Sequence, residues 1–322
     1  MYKRLVGWTL ASCIILIVIL LIGKGLYDNS LKKQAFTRHA QSINTARIFI
    51  HEHMLRAVQD LHQLSAISCV QGYVENKTPA ALERVHQTLL ETSNIYGRYD
   101  QIRIIDLQGQ ELVRINNQES IASITPEDKL QNKLSRYFVQ EGLKLHTGQV
   151  YISPIDLNME NGVLQVPYKP MIRLVRLMQD TKGNPAGMLV LNYKAAGLLN
   201  QFRSVFSSID RAMLINTDGY WLSNHESTNE WGWMFGRDDL RLQNWHPELW
   251  RVMQASVSGE VNIGGDLFSF ERISIADIYE DTSHSRYIDD LGLKNDIKNM
   301  EWTALVQSER EKWQARAVYN LT

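Results

Sequence analysis

The spacing of apolar positions changes character several times along the chain. Residues 5–22 form a run of 18 uncharged positions, dominated by Cys13-Ile-Ile-Leu-Ile-Val-Ile-Leu-Leu-Ile22. At 1.5 Å per residue the run is about 27 Å long, close to the roughly 30 Å hydrocarbon core of a bilayer. Residues 23–27 complete a span, with Lys24 reaching back to the headgroups. A cleaved signal peptide would need a shorter apolar stretch and a small-residue cleavage site, whereas only Gly-Lys-Gly follows Ile22. A retained transmembrane helix over 5–27 is therefore expected. No run of comparable length follows it, so the sequence predicts a single pass. Lys3 and Arg4 precede the span and Lys24, Lys32 and Lys33 follow it, so charge alone does not orient it.

Apolar residues then recur at Ile43, Ala46, Ile50, Met54, Ala57, Leu61 and Leu64, in steps of three and four. This is the stripe of an amphipathic helix with near-heptad spacing. With neither Pro nor Gly between Asn29 and Gln71, one helix of about 40 residues is expected, ended by Gly72. The stripe fits a helix lying on its own domain. It also fits a stalk that pairs with a second copy, and a homodimer through this helix is expected. Thr78-Pro79 opens another helix, with Leu82, Val85, Leu89 and Leu90 on its apolar face.

From Tyr99 the period falls to two. Residues 101–106 and 110–116 read as a hairpin about the turn 107–109, followed by a helix over 127–145. Strands at 149–153, 171–178 and 187–193 and a helix over 195–206 complete the unit. The order then repeats: a hairpin at 212–216 and 220–223, a helix over 245–255, and strands at 260–263, 267–273 and 302–307. Two such units about 110 residues apart argue for duplication. The predicted class is α+β: a transmembrane helix, a long stalk helix and two tandem PAS-like units, each with a five-stranded antiparallel sheet. Residues 274–299 show no clear period and read as an insertion or a mobile loop. A polar helix starts near Glu309.

Composition narrows the function. The 34 Lys+Arg against 35 Asp+Glu leave a net charge of -1, with no basic excess to bind a nucleic acid backbone. Two cysteines, one of them inside the apolar run, make neither a disulfide framework nor a thiolate zinc site. No G-x-S-x-G elbow, Walker loop or H-E-x-x-H motif occurs, and no enzyme activity, metal or cofactor is expected. His51-Glu52-His53 resembles a metal motif, but helical residues i and i+2 point about 200° apart, so an exposed helix face is expected. Gly264-Gly265-Asp266-Leu267-Phe268 resembles the Gly-Gly-Asp-Glu-Phe hairpin of diguanylate cyclases. Leu267 stands where a metal-binding carboxylate is needed, so a plain hairpin turn accounts for the segment.

A binding constellation remains. A loop of about 17 residues joins the third and fourth strands of the first unit, long enough to close a pocket over the sheet. Candidate ligand-binding residues are Arg136, Tyr137, Tyr151, Asp156, Asn158, Lys169 and Arg173. Arg173 and Lys169 suit a carboxylate, and Asp156 with Glu160 an amine or a divalent cation. The plainer alternative is that these charges pair with one another and hold the loop. Arg103 and Arg114, with Asp106 and Glu111 nearby, suit cross-strand ion pairs.

Four segments carry a family resemblance: residues 99–116, 130–138, the Ser-Pro-Ile-Asp-Leu-Asn stretch from Ser153, and Lys169-Pro-Met-Ile-Arg173. With Trp231-Gly-Trp-Met-Phe235, they resemble the double Cache sensor region of bacterial transmembrane receptors, over about residues 30–307. That resemblance implies a cytoplasmic N-terminus at 1–4, helices over 28–97, a membrane-distal unit at 98–208 holding a small-molecule ligand, and a proximal unit at 209–307. It implies an inner-membrane protein whose periplasmic sensor feeds a histidine kinase, diguanylate cyclase or chemoreceptor module. Residues 308–322 would start the signalling helix; no output module follows in this sequence, which suggests a truncated chain or a sensor working through a partner. The aromatic-and-arginine pattern of the amino-acid-binding subgroup is not found. The competing reading is a membrane-tethered adaptor that binds a protein partner and no small molecule.

Overall fold

The computed structural model describes residues 2–146, 148–160, 162–275 and 301–319. Residues 276–299 of the expected insertion lie outside the described residues. The apolar run and the stalk form one helix, α1 (Tyr2–Ala66), about 100 Å long at 1.5 Å per residue. No proline interrupts it, and Gly7, Gly23 and Gly25 do not break a helix of this length. From Ile14 to Ile22 every side chain is exposed, so this apolar band has no covering from the described chain. It is long and apolar enough to cross a membrane.

The helix ends earlier than the glycine suggests. Ile67 is extended (φ −64°, ψ 126°), and α2 (Ser68–Glu75) restarts with Gly72 inside it. The break turns α2 so that Val70, Tyr73 and Val74 reach the core. α3 (Pro79–Tyr96) starts as expected, with the Thr78 hydroxyl accepting from Ala81 N at 3.2 Å, and stops at Gly97 with φ 61°.

The first sheet comprises β1 (Tyr99–Ile105), β2 (Glu111–Gln118), β3 (Ile121–Ile124), β4 (Val150–Ile152), β5 (Asp156–Leu157), β8 (Pro170–Gln179) and β9 (Pro185–Lys194). Its order is β3-β2-β1-β9-β8-β4, with β5 beside β8; β6 (Met159–Glu160) and β7 (Val163–Leu164) form a separate ribbon. The expected five-stranded core, β2-β1-β9-β8-β4, is thus extended by two short strands. α4 (Tyr137–Gly142) lies on this sheet, and α5 (Ala195–Ser204) leads to the second unit. There β10 (Arg211–Asn216), β11 (Trp221–Ser223), β12 (Ser258–Ile263), β13 (Asp266–Ser274) and β14 (Glu301–Ser308) run in the order β11-β10-β14-β13-β12. Within each core the sequence order is second, first, fifth, fourth, third, so the repeat is topological as well as sequential. α6 (Leu242–Trp245) and α7 (Pro247–Ala255) cover this sheet, and α8 (Arg310–Tyr319) leaves it.

Turn chemistry repeats too. Asp106 Oδ1 accepts from Gln108 N and Gln110 N, and Asn216 Oδ1 accepts from Asp218 N and Tyr220 N, at 2.8–3.1 Å. Gly109 and Gly219 follow with φ 81° and 87°, which glycine alone adopts freely. Asp106 therefore shapes the turn rather than pairing with an arginine.

The helix expected over 127–145 is only a 3-10 turn (Glu127–Lys129) and α4. Between them the backbone bonds to the hairpin instead: Glu111 N donates to Gln131 O at 3.0 Å and Lys133 N to Gly109 O at 2.6 Å. Those bonds replace helical ones.

One core serves both sheets. The stripe Ile43, Ala46, Ile50, Met54, Ala57, Leu61 and Leu64 is at most 2% exposed and joins Ile104 and Leu191 of the first sheet to Leu214 and Val306 of the second. The stripe is thus consumed within the chain, leaving an outward face of mainly polar residues such as Lys33, Gln41, Asn44 and Glu52. His51 and His53 do not form an exposed face. His51 Nε2 lies 3.1 Å from Ser274 O, and His53 Nδ1 lies 2.7 Å from the Tyr193 hydroxyl.

Near the apolar band, α1 is locked to the second sheet. Arg38 donates twice to Asp210, at 2.8 and 3.0 Å, and buried His39 lies between Ser269 and Ser308 at 2.9 and 2.8 Å. Burial alone would raise the Asp210 pKa, but hydrogen bonds from His39, Arg38 and Ser308 outweigh it and hold the carboxyl well below its usual range. The Gly264-Gly265 turn anchors α8: Asp266 Oδ1 accepts from Arg310 N at 2.8 Å, and Gly265 O from Trp313 Nε1 at 3.1 Å.

At the other end, the buried His62 of α1 lies against the Arg176 guanidinium. Burial first, then the Arg176 charge, lowers its pKa from 6.5 to about 4. The folded state therefore favours the neutral ring, and this contribution is complete above pH 6.5 and lost as the pH falls toward 4. At roughly 1.4 kcal/mol per unit, wild-type stability should drop by up to about 3 kcal/mol more than that of His62→Gln between pH 7 and 4, read by urea denaturation. Parallel pH profiles would refute the assignment.

Candidate functional site

Strand alternation places a polar row on the face of the first sheet opposite α1. Gln101 pairs in register with Asn116 and Asn192, and Arg173 with Asn192, so their side chains share that face. Segment 125–169 covers them. Arg103, 3% exposed, donates to Asn192 Oδ1 at 3.1 Å and to Gln101, and its Nε lies 3.0 Å from Glu111 Oε1. That last contact is coulombic, lacking the alignment of a hydrogen bond. Glu111 also takes Arg114 at 3.1 Å, three residues along the same strand, so of the two expected cross-strand pairs only that of Arg103 crosses between β1 and β2. Burial lowers the Arg103 pKa to about 10, against the pull of Glu111 and Glu160, so it stays charged at neutral pH. For Glu160, burial acts upward, but Arg103 and Lys133 prevail and lower its pKa.

Arg173 is 1% exposed, and its partners come from the covering segment. It donates to Asp156, to the Tyr137 hydroxyl at 3.1 Å and to Asn158 Oδ1 at 3.3 Å. Tyr137 in turn donates to Asp156 Oδ2 at 2.7 Å. Burial would depress the Arg173 pKa, yet Asp156 and Tyr137 raise it. Tyr137 is itself pushed up to about 12, chiefly by burial. Of the seven candidate residues, the structure joins Tyr137, Asp156, Asn158 and Arg173 in one network. Tyr151 stands beside it and lines the same cavity as Tyr137 and Asp156. Arg136 lies over the Phe138 ring, 6.0 Å from its centre, because the N-terminus of α4 turns it away. Lys169 pairs with Asp100 at 3.4 Å and lines a different cavity.

The network forms one wall of a cavity of about 390 Å³ at the seam of the two units. The opposing wall is Leu222, Trp233, Met234 and Trp302. Trp231-Gly-Trp-Met-Phe235 sets that wall. Trp231 is left-handed at φ 64°, and its N donates to Trp221 O at 3.0 Å. A side chain at Gly232 would meet Arg237 O at 2.9 Å, so the turn closes only with glycine there. Sequence reasoning missed this second wall, to which the tryptophan-rich motif was the one pointer.

A family model described as "Bacterial histidine kinase, sensor domain" matches residues 30–284, well over half of the chain. The chain belongs to the bacterial histidine kinase sensor domain family. No curated protein matches this sequence. Among solved structures, the sensor domain is similar to an extracellular domain assigned to the histidine kinase vpHK1S-Z8 (20% identity, 90% of this chain and 95% of that one, TM-score 0.70). It is similar to a domain assigned to a sensory box/GGDEF family protein from Vibrio parahaemolyticus (19%, 89% and 98%, TM-score 0.70). It also resembles the ligand-binding domain of the Campylobacter jejuni chemoreceptor Tlp3, solved with L-norvaline (10%, 88% and 94%, TM-score 0.60). The fold is thus that of receptor sensor domains, as the motifs implied, and a sensor domain is what the chain is matched to.

Asp156→Ala should strand the buried Arg173 charge and cost the sensor domain about 3 kcal/mol. The double replacement Asp156→Leu/Arg173→Met should recover most of that loss, because a buried ion pair is worth little over apolar packing. Chemical denaturation of the four species would show it; equal losses in single and double variants would contradict the pairing.

Proposed function

We propose that the sensor domain stands in the periplasm, anchored by one inner-membrane crossing over residues 5–27, and relays occupancy of the seam cavity to a histidine kinase output. The carrying observation is that α1 runs unbroken from the apolar band into the core shared by both sheets. A molecule gripping both walls of the seam favours one arrangement of the units over another, and α1, packed on both, moves with it. Complexes such as that of Tlp3 with L-norvaline support a small-molecule ligand. In the distal unit (98–208) the polar row is filled by its own side chains, which favours the seam over the space beneath the covering loop. The proximal unit (209–307) then supplies half of the site. A homodimer through α1 would use its outward face around Lys33, Asn44 and Ile48, since the apolar stripe is already buried.

Topology is the direct test. In a Cys13→Ser/Cys69→Ser background, Ile95→Cys, at a position 79% exposed, should react with a membrane-impermeant maleimide in intact spheroplasts. Labelling only after lysis would overturn the proposal.

A further inference from the structure

We infer that the seam cavity binds an organic cation, an ammonium group on an apolar body. This inference rests on the seam being the ligand site and adds the class of ligand. Four aromatic side chains line the cavity, Tyr137 and Tyr151 from the first unit and Trp233 and Trp302 from the second. Ring faces attract cations, most strongly where water is displaced. Among the described residues, the ionisable groups of the lining are, besides the two tyrosines, carboxylates: Asp156, Asp218 and Glu301, with no Lys, Arg or His. Arg173 is near but does not reach the space as a free cation. It is 1% exposed and donates to Asp156 and Tyr137, which stand between it and the cavity.

The sign of the cavity follows from which charges are already answered. Asp156 is neutralised by Arg173. Glu301 has Arg272 only at 3.7 Å, with both side chains substantially exposed, a weak pair. Asp218 sits at the tip of the β10–β11 turn, whose backbone is held by Asn216. An anionic ligand would face Asp218 and Glu301 with no cation among the described lining residues to receive it. An ammonium group would find charge-assisted acceptors on one side and ring faces on the other. Pro154, Ile155, Leu222 and Met234 supply the surface for an alkyl or aryl body. A volume of about 390 Å³ suits a small molecule of this kind.

The test uses the full chain in lipid nanodiscs, with tetramethylammonium, choline and benzylamine against acetate and inorganic phosphate. Thermal unfolding and tryptophan emission are followed during each titration. At least one of the cations should raise Tm and change the emission in a saturable way, and the anions should do neither. Asp218→Asn/Glu301→Gln, two changes at exposed carboxylates, should weaken cation binding roughly tenfold. Trp233→Ala should weaken it similarly, with Trp233→Leu as the variant to use where alanine fails to fold. Absence of any cation response overturns the inference. Binding lost in the Trp233 variants but untouched by the carboxylate changes keeps the seam as the site and removes the preference for cations. Binding indifferent to both sets of variants removes the seam itself.

Discussion

Everything in this molecule depends on one face of one helix being buried against two sheets. Each PAS-like sheet has an apolar face that needs a cover, and α1 supplies much of it for both. Full burial of a side chain such as Ile50, Met54 or Leu61 contributes about 1.5–3 kcal/mol, so detaching the helix would expose more apolar area than a marginally stable domain tolerates. The two units are therefore not beads on a string. The width of the seam between them, and with it the distance from Tyr137 to Trp233, is set by how each sheet seats on the shared helix.

Charge is handled differently in the two halves. In the first unit, Arg103 and Arg173 are carried into the interior and surrounded by Glu111, Glu160, Asp156, Asn192 and Gln101. Burying an ion is expensive and pairing it barely repays the cost, so such a layer fixes the geometry of the covering segment more than it adds stability. In the second unit charged and polar pairs tie α1 to the sheet through Arg38, His39 and Asp210. The seam lies between these regions and keeps carboxylates that are only partly compensated.

The sequence announces what is local or periodic. The stripe from Ile43 to Leu64, the cap at Thr78 and the hairpins closed by Asp106 and Asn216 are each decided within a few residues, and all stand where the pattern put them. The pairing of Arg173 with Asp156 is one of the two options the sequence offers, since the loop that carries Asp156 leads directly into the strand that carries Arg173. What failed was non-local. Residues 131–133 have helical composition, yet the hairpin edge offered better partners for their backbone. Nothing local to their helix signals the strands that bury His51 and half-bury His53. The seam wall of Leu222, Trp233 and Trp302 exists only because two units meet, and no window along the chain contains both sides of it.

The double hydrogen bond from Arg38 to Asp210 fixes a rotational angle as well as a distance. A guanidinium held by both carboxylate oxygens does not let α1 turn about its own axis relative to the second sheet. Each residue of an α-helix advances about 100° around that axis. The number of residues between Ile22 and Leu31 therefore sets which side of the apolar band faces which side of the sensor, so that a single insertion just after Ile22 would re-aim the band while leaving the packing of Leu31 and Ala35 on Leu267 and Trp313 in place.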